Sequence, residues 1–250
     1  MLPDVREIGR SAVFLDLDGT LAELAERPEA VVVEPATIAL LDALQESCGH
    51  ALAIISGRDI AVVDRLLHPL VLPVAGVHGL QRRDAAGTLH SAAVEPVDIA
   101  PIIAALRAAV GEEPGLIVEA KTGAAALHYR LRPDCQKRCR EIAETVVRGR
   151  NDIELLPGKM VYELRTEGAD KGDVIEAFLK EAPFAGRRPV FAGDDSTDEV
   201  GFAIVNARGG VSIKVGACAT TLARYRAPTL RELHQWLAEL ARVGREERVE

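Results

Sequence analysis

The chain has 250 residues, enough for one large domain or two modest ones, and it can bury a core without disulfide staples. Thirty Lys and Arg against 38 Asp and Glu give a net charge of −8. That excludes a general nucleic-acid binder, because affinity for a phosphate backbone comes from basic side chains. Hydrophobic residues at 48% and charged residues at 27% exclude a disordered chain, and no apolar run reaches the length of a membrane span.

Aromatic residues make up only 4%, so the core must be built from Ala, Val, Leu and Ile, which suits the aliphatic strands of an α/β fold. Cys48, Cys135, Cys139 and Cys218 are too sparse for a disulfide framework and contain no CxxC pair, so they read as free thiols of a reducing cytoplasm. No basic stretch followed by an apolar core marks an export signal, which agrees with a cytoplasmic location.

In chain order, Ala12–Leu17 reads as an aliphatic strand ending in acid and glycine. Pro35–Gln45 is a helix, Ala51–Ile55 a strand closed by Ser56-Gly57, Asp59–Leu67 a helix and Leu70–Val77 a third strand. This strand–helix alternation is the sequence form of a parallel sheet with crossover helices. The rhythm then changes. Gln81–Leu89 reads as a polar hairpin and Asp98–Val110 as a helix. Leu116–Lys121 and Ala124–Arg130 read as two strands about the turn Thr122-Gly123. Pro133–Arg148 follows as a charged helix, and Ile153–Pro157 with Lys159–Arg165 as a second hairpin. The parallel rhythm returns with helix Asp173–Glu181, strand Pro189–Ala192, helix Glu199–Val205, strand Val211–Val215 and the amphipathic helix Thr229–Arg242. Gly244–Glu250 reads as a frayed, charged end. The predicted fold is α/β: a Rossmann-like parallel-sheet core from residues 1–80 and 168–250, interrupted by an inserted α/β domain at 81–167.

Four segments carry chemistry. Asp16 and Asp18 end the first strand two residues apart, so both side chains point to the same side. Close carboxylates repel, and a divalent cation is the usual resolution, with hard oxygen donors favouring Mg²⁺. The alternative is a plain Asp-Gly turn at Asp18-Gly19. Gly193-Asp194-Asp195-Ser196-Thr197-Asp198 follows a strand end, where open α/β sheets place their sites. A helix N-terminus capped by Asp195 or Ser196 accounts for Asp198 but not for Asp194 beside Asp195. Ser56 lies between strand and helix, as either a cap or an anion site. Lys171 stands at a helix start, where a cation opposes the helix dipole, either as a surface lysine or as a functional one.

In order and content these segments resemble the motifs of the haloacid dehalogenase-like phosphatase superfamily: Asp16-Leu17-Asp18-Gly19-Thr20, Ser56, Lys171, and Gly193-Asp194-Asp195 with Asp198. The resemblance implies a catalytic core with a cap domain between Ser56 and Lys171. It implies Asp16 as nucleophile, Asp18 as general acid and base, and Ser56 and Lys171 with the Gly19-Thr20 loop on the phosphoryl group. Mg²⁺ would be held by Asp16, the carbonyl of Asp18 and Asp194, with Asp198 either behind the metal or on Lys171.

Further segments resemble the trehalose-6-phosphate phosphatase family within it: Ser56-Gly57-Arg58, Gly76-Val77-His78-Gly79, Glu119-Ala120-Lys121, His128-Tyr129-Arg130, Gly158-Lys159, Glu163 and Arg165. By that resemblance Glu119, Lys121, Lys159 and Glu163 bind sugar hydroxyls, and Arg58, His78, His128 and Arg130 also contact substrate. The expected function is Mg²⁺-dependent hydrolysis of trehalose 6-phosphate through an aspartyl-phosphate. Phosphatases of other sugar phosphates and a non-catalytic sugar-phosphate sensor are the alternatives. The expected partner is a small sugar phosphate, without nucleic acid or membrane, for a monomer or weak homodimer.

Overall fold

The computed structural model describes every residue except Gly9, residues 92–96, Ala169, Ala219 and residues 247–250. The elements begin with β1 (Ser11–Leu15), α1 (Pro35–Ser47), β2 (Leu52–Ile55), α2 (Ile60–Leu67), β3 (Val74–Gly76), β4 (Gln81–Arg83) and β5 (Leu89–Ser91). Next come α3 (Ala100–Val110), β6 (Ile117–Lys121), β7 (Ala124–His128), α4 (Gln136–Val146), β8 (Ile153–Gly158) and β9 (Val161–Thr166). The chain closes with α5 (Lys171–Phe178), β10 (Arg188–Gly193), α6 (Glu199–Ala207), β11 (Val211–Val215), β12 (Tyr225–Ala227) and α7 (Leu230–Glu246).

Two compact units result: Met1–Ala25 with Val31–Ser91 and Ala169–Glu250, and Glu26–Ala30 with Ala92–Gly168. The larger unit holds an eight-stranded sheet in the order β12-β11-β10-β1-β2-β3-β4-β5, parallel from β12 to β3. All of β1 is buried, and its side chains alternate between two cores. Val13 and Leu15 face α1 and α7 residues such as Leu41, Leu44 and Leu237, while Ala12 and Phe14 face Ile175, Phe178 and Phe202. Burial on both faces is why this strand reads as an unbroken aliphatic run. The register pairs Leu15 with Ala192 on one side and with Ile54 on the other. Asp16, Ser56 and Asp194 therefore leave neighbouring parallel strands at the same carboxyl edge, flanking the central strand.

Four expectations need correction. The third strand is only Val74–Gly76, because Pro69 and Pro73 have no N–H to give a ladder. The Gln81–Leu89 hairpin does not belong to the insertion's sheet. β4 pairs with β3 antiparallel, and Arg83–Asp64 and Arg82–Glu181 ion pairs at 2.6 and 2.7 Å fasten it to the larger unit. A short strand, β12, follows β11, and its polar sequence gave no alternation to read. The last helix runs on to Glu246, with Gly244 seated on Ser47, so Gly244–Glu246 are not frayed. Residues 247–250 of that expected tail lie outside the described residues.

The smaller unit is an antiparallel sheet in the order β6-β7-β9-β8. One face, with Ala125, Leu127 and Leu164, packs with Leu106 of α3 and Cys139 of α4. Tyr129 and Tyr162 stack at 5.5 Å in this core, so Tyr129 is a packing residue. The alternate positions of these strands make up the opposite face.

Candidate active site

The larger unit gathers three carboxylates, two of them on one ammonium. Lys171 Nζ donates to Asp16 Oδ1 at 2.8 Å and to Asp198 Oδ1 at 2.6 Å. Exposure is 5% for Asp16, 2% for Lys171 and 0% for Asp198, so little water screens these charges. Oxygens of Asp16, Asp194 and Asp198 lie within 4.8 Å of one another.

Local sequence explains each placement. Asp170 caps α5 by accepting from the amides of Gly172 and Asp173, while its own N–H donates to Asp173. This reciprocal box starts the helix at Lys171, two residues before the expected Asp173, and so points the lysine into the site. Asp195 caps the next turn, and its N–H donates to Asp198 Oδ2 at 2.9 Å. Asp198 thus serves both its own loop and Lys171. Gly19 has φ +82°, and a Cβ there would sit 2.1 Å from Asp194 Oδ2. The glycine is needed for both conformation and space. Its amide donates to the Ala22 carbonyl at 2.7 Å, so what it contributes is clearance for Asp194.

The electrostatics are unbalanced. Burial drives the Asp16 carboxyl well above the usual carboxylate range; Lys171 draws it back, and Asp198 and Asp194 push it up again. Burial would lower the Lys171 ammonium, but the fields of Asp16 and Asp198 outweigh it and hold it far above an ordinary lysine. Three buried carboxylates and one ammonium leave two negative charges in excess. A hard divalent cation suits this donor set, because it cancels that excess with oxygen ligands alone.

Asp18 points elsewhere. Its two carboxylate oxygens accept from Arg58 Nε at 2.7 Å and Nη2 at 2.8 Å. Its side chain is not in the acidic cluster. Arg58 is placed by a tight turn in which its N–H donates to Ser56 Oγ at 3.2 Å. Ser56 is buried and does not cap α2; Asp59 holds that position. His78 is buried beside this loop, its amide donating to the Ser56 carbonyl at 2.9 Å. A Cβ on Gly57 would meet His78 Nε2 at 2.4 Å, which is why glycine follows Ser56. Val77 and His78 both take positive φ, 47° and 52°, an uncommon conformation for a β-branched valine. Such strain collects where surrounding structure enforces a functional geometry. Thr20 is fully buried.

The polar face of the smaller sheet carries the other expected residues. The register puts Glu119 and Glu163 on either side of Ala126. Lys121 Nζ reaches Glu163 Oε1 at 2.8 Å and lies 4.0 Å from Glu119 Oε2, which also contacts His128 Nε2 at 2.8 Å. Glu163 is 5% exposed, so the row is held in a setting where charged hydrogen bonds are strong. Ala124 and Ala126, on this face of the central strand β7, are fully buried. Arg130 Nη2 donates to the Lys159 carbonyl at 3.3 Å, placing these two residues together at the adjoining turn. Sequence reasoning passed over one buried charge, Lys214 in the strand VSIKV, where a lysine in an aliphatic run was the signal.

A family model described as trehalose-phosphatase matches residues 14–229. A probable trehalose-phosphate phosphatase of Sinorhizobium fredii is 46% identical over 206 residues, covering 82% of this chain and 77% of that protein. The trehalose-6-phosphate phosphatase of Escherichia coli K12 is 42% identical over 226 residues, covering 90% and 85%. Among solved structures, the C-terminal domain of the C. albicans trehalose-6-phosphate phosphatase shares the fold, with TM-score 0.82, 23% identity, and 95% and 93% of the two chains covered. A trehalose-6-phosphate phosphatase related protein matches with TM-score 0.73 and 27% identity, covering 94% and 99%.

Proposed function

The chain belongs to the trehalose-phosphatase family of phosphoric monoester hydrolases, and from that membership we propose how it converts trehalose 6-phosphate to trehalose and phosphate. One observation carries the reading: Asp16 and Asp18, two residues apart, stand in different surroundings. Asp16 is buried on Lys171, and Asp18 is held by Arg58. A cation bound beside Asp16 would offset the burial that raises its carboxyl, so two carboxylates with separate partners can take separate roles.

Asp16 attacks phosphorus in line; the bond to the sugar oxygen breaks as the Asp16 oxygen–phosphorus bond forms. Asp18 gives its proton to the leaving sugar oxygen. It then takes a proton from the water that hydrolyses the aspartyl-phosphate. Arg58 orients Asp18 for both transfers. Lys171 and Ser56 meet the charge on the phosphoryl oxygens, while Gly19 gives Asp194 its clearance. Asp16, Asp194 and the Asp18 carbonyl would hold Mg²⁺, while Asp198 keeps Lys171 in place. When bound, the ion supplies further charge neutralisation on the transferring group.

Glu119, Lys121, Lys159 and Glu163, with His128 and Arg130, bind the hydroxyls of the distal sugar ring, and His78 supports the phosphate end. Charged groups in a buried row reject a sugar whose hydroxyls leave one of them unpaired. The enzyme acts in the cytoplasm as a monomer or weak homodimer. The cytoplasmic location fits four cysteines that form no disulfide; among the described residues no helix is long and apolar enough to cross a membrane.

The test is phosphate release from trehalose 6-phosphate, glucose 6-phosphate and sucrose 6-phosphate, with and without Mg²⁺. Trehalose 6-phosphate should be hydrolysed fastest and only with metal. Full turnover by Asp16→Asn overturns the nucleophile, and equal rates on all three sugars overturn the sugar-binding row.

A further inference from the structure

Lys214 lies on β11 and is 3% exposed. A buried ammonium carries a desolvation penalty and persists only with good partners. The chemistry above does not use it. Parallel pairing of β10 with β11 sets Lys214 opposite Gly193, the last residue before the acidic loop. From there Nζ donates to the backbone carbonyl of Asp195 at 2.8 Å. The same carbonyl accepts from the Asp198 amide at 3.4 Å, so the ammonium strengthens a turn that is weakly closed by the backbone alone. Lys214 Nζ also faces Glu199 Oε1 at 3.6 Å and lies 5.8 Å from the centre of the Phe202 ring. Glu199 accepts from Thr221 Oγ1 at 2.8 Å and from the Leu222 amide at 2.7 Å. One cation thus ties the acidic loop to the segment that follows β11.

Asp195 lies between Asp194 and Asp198, two of the three clustered carboxylates. We propose that Lys214 is a positioning residue for the metal-binding loop: by holding the Asp195 carbonyl it sets the spacing of Asp194 and Asp198. The proposal rests on the reading that this cluster holds Mg²⁺. A lysine that merely filled space would be replaced by methionine, of similar length, with no effect on metal.

The test uses the full chain. Mg²⁺ binding to wild type, Lys214→Met, Lys214→Arg and Asp194→Asn is measured by titration calorimetry after chelation, with circular dichroism as a check of folding. Lys214→Met should bind Mg²⁺ about 10–100-fold more weakly, the usual cost of removing a group that orients a ligand. Its Mg²⁺ requirement for turnover should rise by the same factor, with KM for the sugar phosphate at saturating Mg²⁺ unchanged. Lys214→Arg, which keeps a cationic donor, should recover most of the affinity. Wild-type affinity in Lys214→Met overturns the proposal. If Lys214→Met does not fold, Lys214→Gln takes its place, and wild-type Mg²⁺ affinity there is equally fatal. If Asp194→Asn binds Mg²⁺ as wild type does, the metal reading itself fails and the proposal falls with it; weak binding by Asp194→Asn together with full binding by Lys214→Met removes only the role of Lys214.

Discussion

Arg58 grips Asp18 through two parallel hydrogen bonds, Nε to Oδ2 at 2.7 Å and Nη2 to Oδ1 at 2.8 Å. The planar fork fixes both the position and the tilt of the carboxylate. Arg58→Ala should lower kcat by about 100-fold, the scale of a misplaced acid–base group, with little change in KM. Arg58→Lys should recover only part of this, because a point charge cannot fork. Steady-state kinetics on trehalose 6-phosphate reads both. A rise in KM at constant kcat would instead make Arg58 a substrate ligand, the role that the family resemblance implies for it.

Lys171 neutralises Asp16 and Asp198 together. Lys171→Met leaves buried carboxylates facing one another, and breaking such a pair costs about 3–5 kcal/mol. The variant should lose measurable turnover and melt at a lower temperature in EDTA, and Mg²⁺ should restore part of the difference. Equal melting temperatures in EDTA would show that the ammonium is not needed to hold the cluster.

Gly19→Ala puts a Cβ 2.1 Å from Asp194 Oδ2 and forces alanine to φ +82°. The clash falls on the Asp194 carboxylate and not on Leu17, Leu21 and Ala22, the core residues of the same loop. The variant should therefore keep a wild-type circular dichroism spectrum while losing Mg²⁺-dependent phosphate release. Retained activity would mean that Asp194 is free to move without consequence.

Lys121 bridges Glu163 and Glu119 on the smaller sheet. If this row reads sugar hydroxyls, Lys121→Met should raise KM for trehalose 6-phosphate by about 10–100-fold, the equivalent of one charged hydrogen bond. Hydrolysis of p-nitrophenyl phosphate, which has no second sugar, should be unaffected. Parallel loss on both substrates would point to the fold rather than to recognition.

His234 of α7 sits behind the Asp16–Thr20 loop. Burial lowers its pKa, against weaker upward effects of the Thr20 backbone and Glu23. The unfolded chain, with histidine near its usual pKa of about 6.5, therefore binds the proton more readily. The stability this residue contributes is present above that value and is lost as pH falls through the folded pKa. His234→Gln should show a smaller drop in melting temperature between about pH 7 and pH 5 than wild type does. An identical drop would assign the acid sensitivity elsewhere.

What could be read from the sequence was what depends on neighbours along the chain. Burial on both faces of β1 produces an aliphatic run, and acids at strand ends stand out against it, so the parallel core, the four motifs and the presence of an insertion were all legible. Capping is equally local, yet the Asp170 box that begins α5 at Lys171 was missed, because an acidic residue before a lysine resembles any solvated loop. The tertiary structure decided which charges meet. Arg58 and Asp18 are 40 residues apart and Lys171 and Asp16 are 155 apart, and only strand register sets those pairings. The same holds for the β4–β5 hairpin, whose polar sequence suits an edge of either sheet until Asp64 and Glu181 supply partners for its arginines. It holds too for Lys214, which only the pairing of β10 with β11 brings against the acidic loop. Side-chain charge is written in the sequence, but its partner is set by distance in space, and buried pairings at a few ångströms outweigh the net −8 that the composition shows.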